Sequence, residues 1–116
     1  MEDTRLMQSM LLDFYGDLLT DKQRECFDLH VNDDLSLAEI AEQSGISRQG
    51  VWDNIRRAER ALQEFENKTG LIERFNQNRR RLGELRELIV SLAESGVSGS
   101  LAGEMLEIVD ELLSEE

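Results

Sequence analysis

Apolar residues recur every three or four positions along almost the whole chain, and no stretch alternates as a half-buried strand would. Leu6, Met7, Met10, Leu11 and Phe14 form the first such stripe, which predicts an amphipathic helix with Thr4 as a candidate cap and an end near Gly16. A second helix opens at Thr20-Asp21-Lys22-Gln23. There Thr20 can cap, Gln23 can reach back, and Asp21 suits the positive end of the helix dipole. Its inward positions are Cys26, Phe27, Leu29 and either His30 or Val31, and the polar run Asn32-Asp33-Asp34 ends it.

The pattern is sharpest from Leu35 to Arg60. Ser36 and Glu39 form a second capping box, and Ile40 and Ala41 face inward, with Ala41 small enough to admit a neighbouring helix. Gly45 falls where a chain reversing between two helices needs a left-handed residue, and Ile46 packs beneath that turn. Ser47 can cap the next helix, along which Val51, Ile55, Ala58 and Leu62 recur on one face. This is a helix-turn-helix pattern whose second helix is placed to read a groove.

Asn67-Lys68-Thr69-Gly70 is a helix stop. A long helix from about Leu71 to Glu94 follows, with Phe75, Asn78, Leu82, Leu85, Ile89 and Leu92 as a short heptad seam in which Asn78 can fix register. Ser95 to Ser100 reads as a flexible linker. The last helix places Leu101, Met105, Ile108, Val109 and Leu112 on one side, opposite an acidic face. The expected fold is all-α, with an N-terminal helix and a helix-turn-helix unit over residues 1–66. Residues 67–116 supply the long helix and the acidic C-terminal helix, packed as one domain or as a dimer interface.

Composition narrows the function. The net charge of −12 over 116 residues excludes a protein that coats nucleic acid by bulk electrostatics. The charge is unevenly spread: nine acids and three bases over residues 1–35, six and four over 36–66, three and six over 67–93, and seven acids with no base over 94–116. Positive charge is therefore confined to the second motif helix and the segment after it. Cys26 is the only cysteine, which excludes an internal disulfide and fits a reducing cytoplasm. No apolar run approaches the roughly 18 residues of a membrane span, and Glu2 and Asp3 are wrong for a signal peptide. Neither a P-loop nor a zinc-ligand spacing occurs, so no cofactor is implied. His30 has no nucleophile or ligand cluster beside it and reads as a half-buried structural residue; Cys26 reads as a small core residue. An enzyme is not expected.

Leu19-Thr20, Gln23, an acidic turn, Leu35-Ser36, Glu39-Ile40-Ala41 and Gly45-Ile46-Ser47 together resemble region 4 of bacterial sigma factors. Asp13-Phe14-Tyr15, Leu18-Leu19-Thr20, Lys22-Gln23, Ser47-Arg48-Gln49 and Val51 with Asp53-Asn54-Ile55 resemble, almost in register, the small bacterial YlxM-like proteins. The resemblance covers residues 13–66. Trp52 stands where tyrosine is usual in that family and Gly50 where a small aliphatic residue is usual. The resemblance implies a non-catalytic regulatory or accessory role linked to the signal recognition particle, because these genes sit beside the one for the particle's GTPase subunit.

Candidate contact residues follow from the second motif helix. Arginine pairs bidentately with guanine or phosphate and glutamine with adenine, so Ser47, Arg48, Gln49, Trp52, Arg56, Arg57 and Arg60 are the candidate nucleic-acid surface. Trp52 can stack on an unpaired base or be buried against the first helix or a second chain. The arginines can instead form local pairs such as Arg56–Glu59 and Arg60–Glu64. Asp53 among them opposes phosphate. Arg79, Arg80 and Arg81 form a secondary basic patch. The expected partners are the particle's protein, its RNA or both, with a DNA-binding transcriptional regulator as the alternative. Surplus apolar surface also predicts a homodimer.

Overall fold

The computed structural model describes residues 4–96 and 99–114, and among these the fold is all-helical. The helices are α1 (Thr4–Tyr15), α2 (Asp21–Val31), α3 (Leu37–Ser44), α4 (Arg48–Thr69), α5 (Leu71–Glu94) and α6 (Gly99–Ser114), with a short 3-10 turn at Gly16–Leu18. Two compact units result, residues 1–72 and residues 73–116.

Local chemistry sets the boundaries in the first unit. Thr20 and Gln23 form the expected capping box, with Gln23 N–H donating to Thr20 Oγ1 and Thr20 N–H to Gln23 Oε1, both at 3.2 Å. Ser36 and Glu39 form the second, at 2.9 and 3.1 Å. Gly45 (φ 71°) and Gly70 (φ 64°) close α3 and α4 in the left-handed region, where a Cβ would be strained. Thr4 is itself helical, so the position capping α1 falls outside the described residues.

Helices α1 to α4 enclose one core around Phe27, Val31, Ile40, Val51 and Leu62, closed at its base by Ile72. Each of these side chains contributes about 1.5–3 kcal/mol by leaving water. The inward face of α1 is rotated from the expected stripe. Leu11, Leu12 and Tyr15 are buried, while Leu6 is 60% exposed and Phe14 lies at the surface. The reason is polar: the Tyr15 ring packs on Phe65, and its hydroxyl finds Glu66 and Thr69. His30 is exposed rather than half-buried, and Val31 takes the inward position. Arg5–Asp34 at 2.6 Å ties α1 to the turn after α2, while Lys22 Nζ donates to the Ser44 carbonyl at the end of α3.

In the second unit, α5 and α6 pair around Ile89, Ala102 and Val109, with Leu82, Ala93, Met105, Leu106 and Leu113 packed against them. Arg86 Nε to Asp110 Oδ1 at 3.0 Å and Arg79 Nη1 on the Leu113 carbonyl make the pair antiparallel. The seam differs from the expected one. Asn78, Leu85 and Leu92 of α5 are exposed, as are Leu101, Ile108 and Leu112 of α6. Both helices carry two adjacent apolar seams, and the pair closes on the one containing Ala93 and Ala102, whose small side chains permit close approach. The expected linker is shorter than read: Gly99 and Ser100 are already helical, and Val97 and Ser98 lie outside the described residues.

Candidate nucleic-acid interface

The turn between α3 and α4 presents the start of α4 to solvent. Ser47 caps α4, its Oγ accepting from Gly50 N–H at 3.0 Å, so this oxygen serves the helix while the hydroxyl proton remains a donor. Val51, Ile55, Ala58 and Leu62 face the core, and that choice fixes what faces outward. Arg48, Trp52, Arg56 and Arg60 fall at steps of four and make one ridge about 18 Å long; Gln49, Asp53 and Arg57 make the next. The sequence-derived surface is thus brought together on one side of one helix.

Trp52 is 44% exposed, so the reading that buries it within its own chain does not hold. The Arg56 guanidinium lies 5.2 Å from its ring centroid, a cation–π contact that holds the indole while leaving ring surface in solvent. The local pairs Arg56–Glu59 and Arg60–Glu64 are not formed. Among the described residues, no ion pair engages Arg48, Arg56, Arg57 or Arg60. Gln49 Nε2 donates to Asp53 Oδ1 at 3.2 Å, which satisfies one carboxylate oxygen without cancelling its charge.

A shallow groove of about 560 Å³ lies where the two motif helices begin, lined by Ser36, Leu37, Ala38, Arg48, Gln49 and Trp52. Sequence reasoning missed Leu37 and Ala38. The signal was present: the first turn of the first motif helix lies beside the start of the second wherever this turn is tight. Glu39, at the same helix start, has its carboxyl held below the usual carboxylate range by the Ser36 backbone N–H and hydroxyl. It remains charged and adds to the opposition Asp53 offers a phosphate.

The secondary basic patch is divided. Arg79 stacks over Phe75 at 5.6 Å and donates to the Leu113 carbonyl, and Arg81 pairs with Glu84 at 3.1 Å. Arg79 therefore braces the α5–α6 pair, Arg81 pairs within α5, and Arg80 is exposed. Among the described residues, no group of three or more His, Cys, Asp or Glu side chains is placed to hold a metal, and no helix is long and apolar enough to cross a membrane.

The architecture defines an all-helical helix-turn-helix protein. Residues 2–96 match the family described as "Putative helix-turn-helix protein, YlxM / p13 like", and the chain belongs to that family. It is 42% identical over 115 residues to a UPF0122 protein of Thermoanaerobacter sp. (strain X514), covering 99% of this chain and 95% of that one. It is 46% identical over 107 residues to one from Acetivibrio thermocellus, covering 92% and 91%, and 50% identical over 91 residues to one from Shouchella clausii, covering 78% and 84%.

Proposed function

We propose that this chain is a non-enzymatic helix-turn-helix accessory protein of the signal recognition particle pathway, contacting the particle's protein, its RNA or both. The observation that carries the nucleic-acid side is the ridge Arg48–Trp52–Arg56–Arg60, an exposed aromatic ring set among guanidinium groups that form no ion pair among the described residues. An exposed ring between arginines suits unpaired bases, which stack on aromatic faces. The same ridge suits duplex DNA less well. Asp53 and Glu39 border it, and the whole chain carries −12, so isolated duplex DNA should bind near the non-specific range of roughly 10⁻⁴–10⁻⁶ M. The assignment to the particle rests on the YlxM-like resemblance and on the match of a strongly acidic chain to a basic, RNA-binding protein.

The test is a titration of labelled full-length protein against the assembled particle, its naked RNA and a random DNA duplex in one buffer at physiological salt. Tightest binding to the particle or its RNA is the expected result. The triple variant Arg48→Ala/Gln49→Ala/Arg56→Ala should then weaken the RNA-dependent part. Equal binding to the random duplex would replace this reading with a DNA-binding transcriptional regulator that uses the helix from Ser47 to Arg60.

A further inference from the structure

The second unit buries one apolar seam and displays another. In α5 the buried seam runs through Leu82, Ile89 and Ala93, and in α6 through Ala102, Leu106, Val109 and Leu113. About one residue earlier in each helix lies a second seam at heptad spacing: Leu85, Leu88 and Leu92 in α5, extended by the polar Arg81, and Leu101, Ile108 and Leu112 in α6. All six apolar residues are exposed, Leu88 by 67% and Ile108 by 59%.

A step of one residue turns an α-helix by about 100°. Because α5 and α6 are antiparallel, the same backward step turns their side chains in opposite senses about a common axis. The two outer seams therefore emerge on the same side of the pair. The result is a two-helix apolar face about 10 Å long on α5 and about 17 Å on α6, more apolar surface than a solvent-facing hairpin normally leaves open.

Its borders are carboxylates. Further back lie Glu84 and Glu87 on α5 and Glu104, Glu107 and Glu111 on α6, all exposed; the bases on this face are Arg80 and Arg81 at one end of α5, with Arg81 beside Leu85 and Leu88, while the α6 border is acidic throughout. Of these five acids, one is paired within the chain among the described residues: Glu84, to Arg81 at 3.1 Å.

This border selects the occupant. A second copy stacked with its two-fold axis along the pair keeps the register set by Arg86–Asp110. Glu84 and Glu87 of one copy then meet Glu111 and Glu107 of the other. With the axis across the pair, α6 lies on α6, and Glu104, Glu107 and Glu111 face their own counterparts. Either closure lines up like charges, which costs specificity as well as affinity. A cationic stripe flanking an apolar one meets every requirement.

We propose that the outer face of α5 and α6 is the docking surface for a basic amphipathic helix of a partner protein. Its apolar residues lie between Leu88 and Ile108, and its Lys or Arg side chains reach the glutamates on both borders, a helix-in-groove mode. The proposal stands apart from the nucleic-acid reading of α4.

The probes are two labelled 18-residue designed helical peptides with leucine at heptad core positions, one carrying lysine at the remaining positions and the other glutamate. They are titrated by anisotropy against the full chain, whose mass is followed by light scattering. The lysine peptide should bind at least tenfold tighter than the glutamate peptide, increasingly so at low salt. Leu88→Ser/Ile108→Ser should lose at least tenfold of that affinity. Glu104→Gln/Glu107→Gln/Glu111→Gln, a change confined to the exposed border, should lower affinity and flatten its salt dependence at unchanged helicity. Arg48→Ala/Gln49→Ala/Arg56→Ala should leave peptide binding alone, so this reading and that of α4 fail separately. Equal affinity for both peptides, no binding of the lysine peptide, or binding untouched by the serine pair would overturn the proposal. So would a chain that scatters at twice 13.3 kDa and becomes monomeric with the serine pair, which would assign the face to a second copy.

Discussion

The Tyr15 hydroxyl donates to Glu66 Oε1 at 2.6 Å, joining the end of α1 to the end of α4 across 51 positions of sequence. Thr69 Oγ1 shares the same hydroxyl, and Glu66 Oε1 also accepts from Ile72 N–H at 3.0 Å, at the start of α5. One carboxylate oxygen thus serves a side chain and a helix start. Tyr15→Phe removes the donor and keeps the ring against Phe65. It should destabilise the fold by about 1–3 kcal/mol, the cost of leaving a part-buried acceptor short of a partner, read as a lower urea midpoint at unchanged m-value.

The same hydroxyl predicts an alkaline limit. Burial, then the Glu66 hydrogen bond, push the Tyr15 pKa above its ordinary value. A raised folded value means the folded chain keeps a proton that the unfolded chain releases above about pH 10. The stabilisation is therefore complete below that pH and is lost as pH rises through the folded value. Burial raises the Cys26 thiol too and acts in the same direction. Stability measured from pH 8 to 11 should fall for the parent, and less steeply for Tyr15→Phe, whose difference from the parent isolates the tyrosine.

Gly50 is a helical residue without a helical reason. It occupies the third position of α4, the place Gln23 and Glu39 hold in α2 and α3. A Cβ there would lie 3.2 Å from Ser47 Oγ, the capping oxygen, and 3.6 Å from Ile46 Cδ1. The first contact is tight, but Gln23 and Glu39 carry a Cβ at the same place beside Thr20 and Ser36 with both caps intact. Gly50→Ala should therefore raise stability by about 0.5–1 kcal/mol, the helix-propensity difference, seen as a higher melting temperature. A lower one would mean that Ser47 cannot shift.

Glu39 should carry part of the acid limit. Hydrogen bonds from the Ser36 backbone N–H and hydroxyl lower its pKa in the folded state. The contribution is present above the unfolded carboxylate value and is lost as pH falls through the folded one. Glu39→Gln keeps the capping geometry but does not titrate, so the difference in stability between parent and variant should shrink between pH 6 and 3. A constant difference would mean that the cap is broken in solution.

Much of this fold was legible because local rules act strongly in it. Two capping boxes, the Gly45 and Gly70 closures and the buried stripe of α4 are each decided within a few residues, and each was found where its residues predict it. Helix rotation was harder to read. Leu6 and Phe14 are as apolar as Leu11, and the contacts that hold α1 in its observed rotation, Tyr15 to Glu66 and Arg5 to Asp34, lie far apart in sequence. The α5–α6 pair had two seams of nearly equal hydrophobicity, and choosing between them needed the partner helix. On α4 the spacing of Val51, Ile55, Ala58 and Leu62 separates the buried face from the solvent face but leaves Trp52 undecided between burial and solvent, since a tryptophan meets either demand. The groove residues Leu37 and Ala38 carry no chemical signature of their own.

The ridge on α4 separates two kinds of contact that single substitutions should tell apart. On the proposed reading, Trp52 would offer its ring surface to a single-stranded or looped RNA by stacking, which is insensitive to salt. Trp52→Ala removes that surface from an exposed site and should leave stability within about 0.5 kcal/mol. It should weaken RNA binding by about 1–3 kcal/mol per stacked base with the slope of log K against log salt unchanged. Arg60 lies two turns further along, without an ion pair among the described residues, and offers charge alone. Arg60→Ala should weaken binding evenly across sequences and reduce the salt slope by about 0.7 if one phosphate contact on a single strand is lost. Affinities of parent and both variants for a labelled looped RNA, measured at several salt concentrations, give all three slopes. If Trp52→Ala changes the slope and Arg60→Ala does not, or if neither changes affinity, α4 does not read nucleic acid through this ridge.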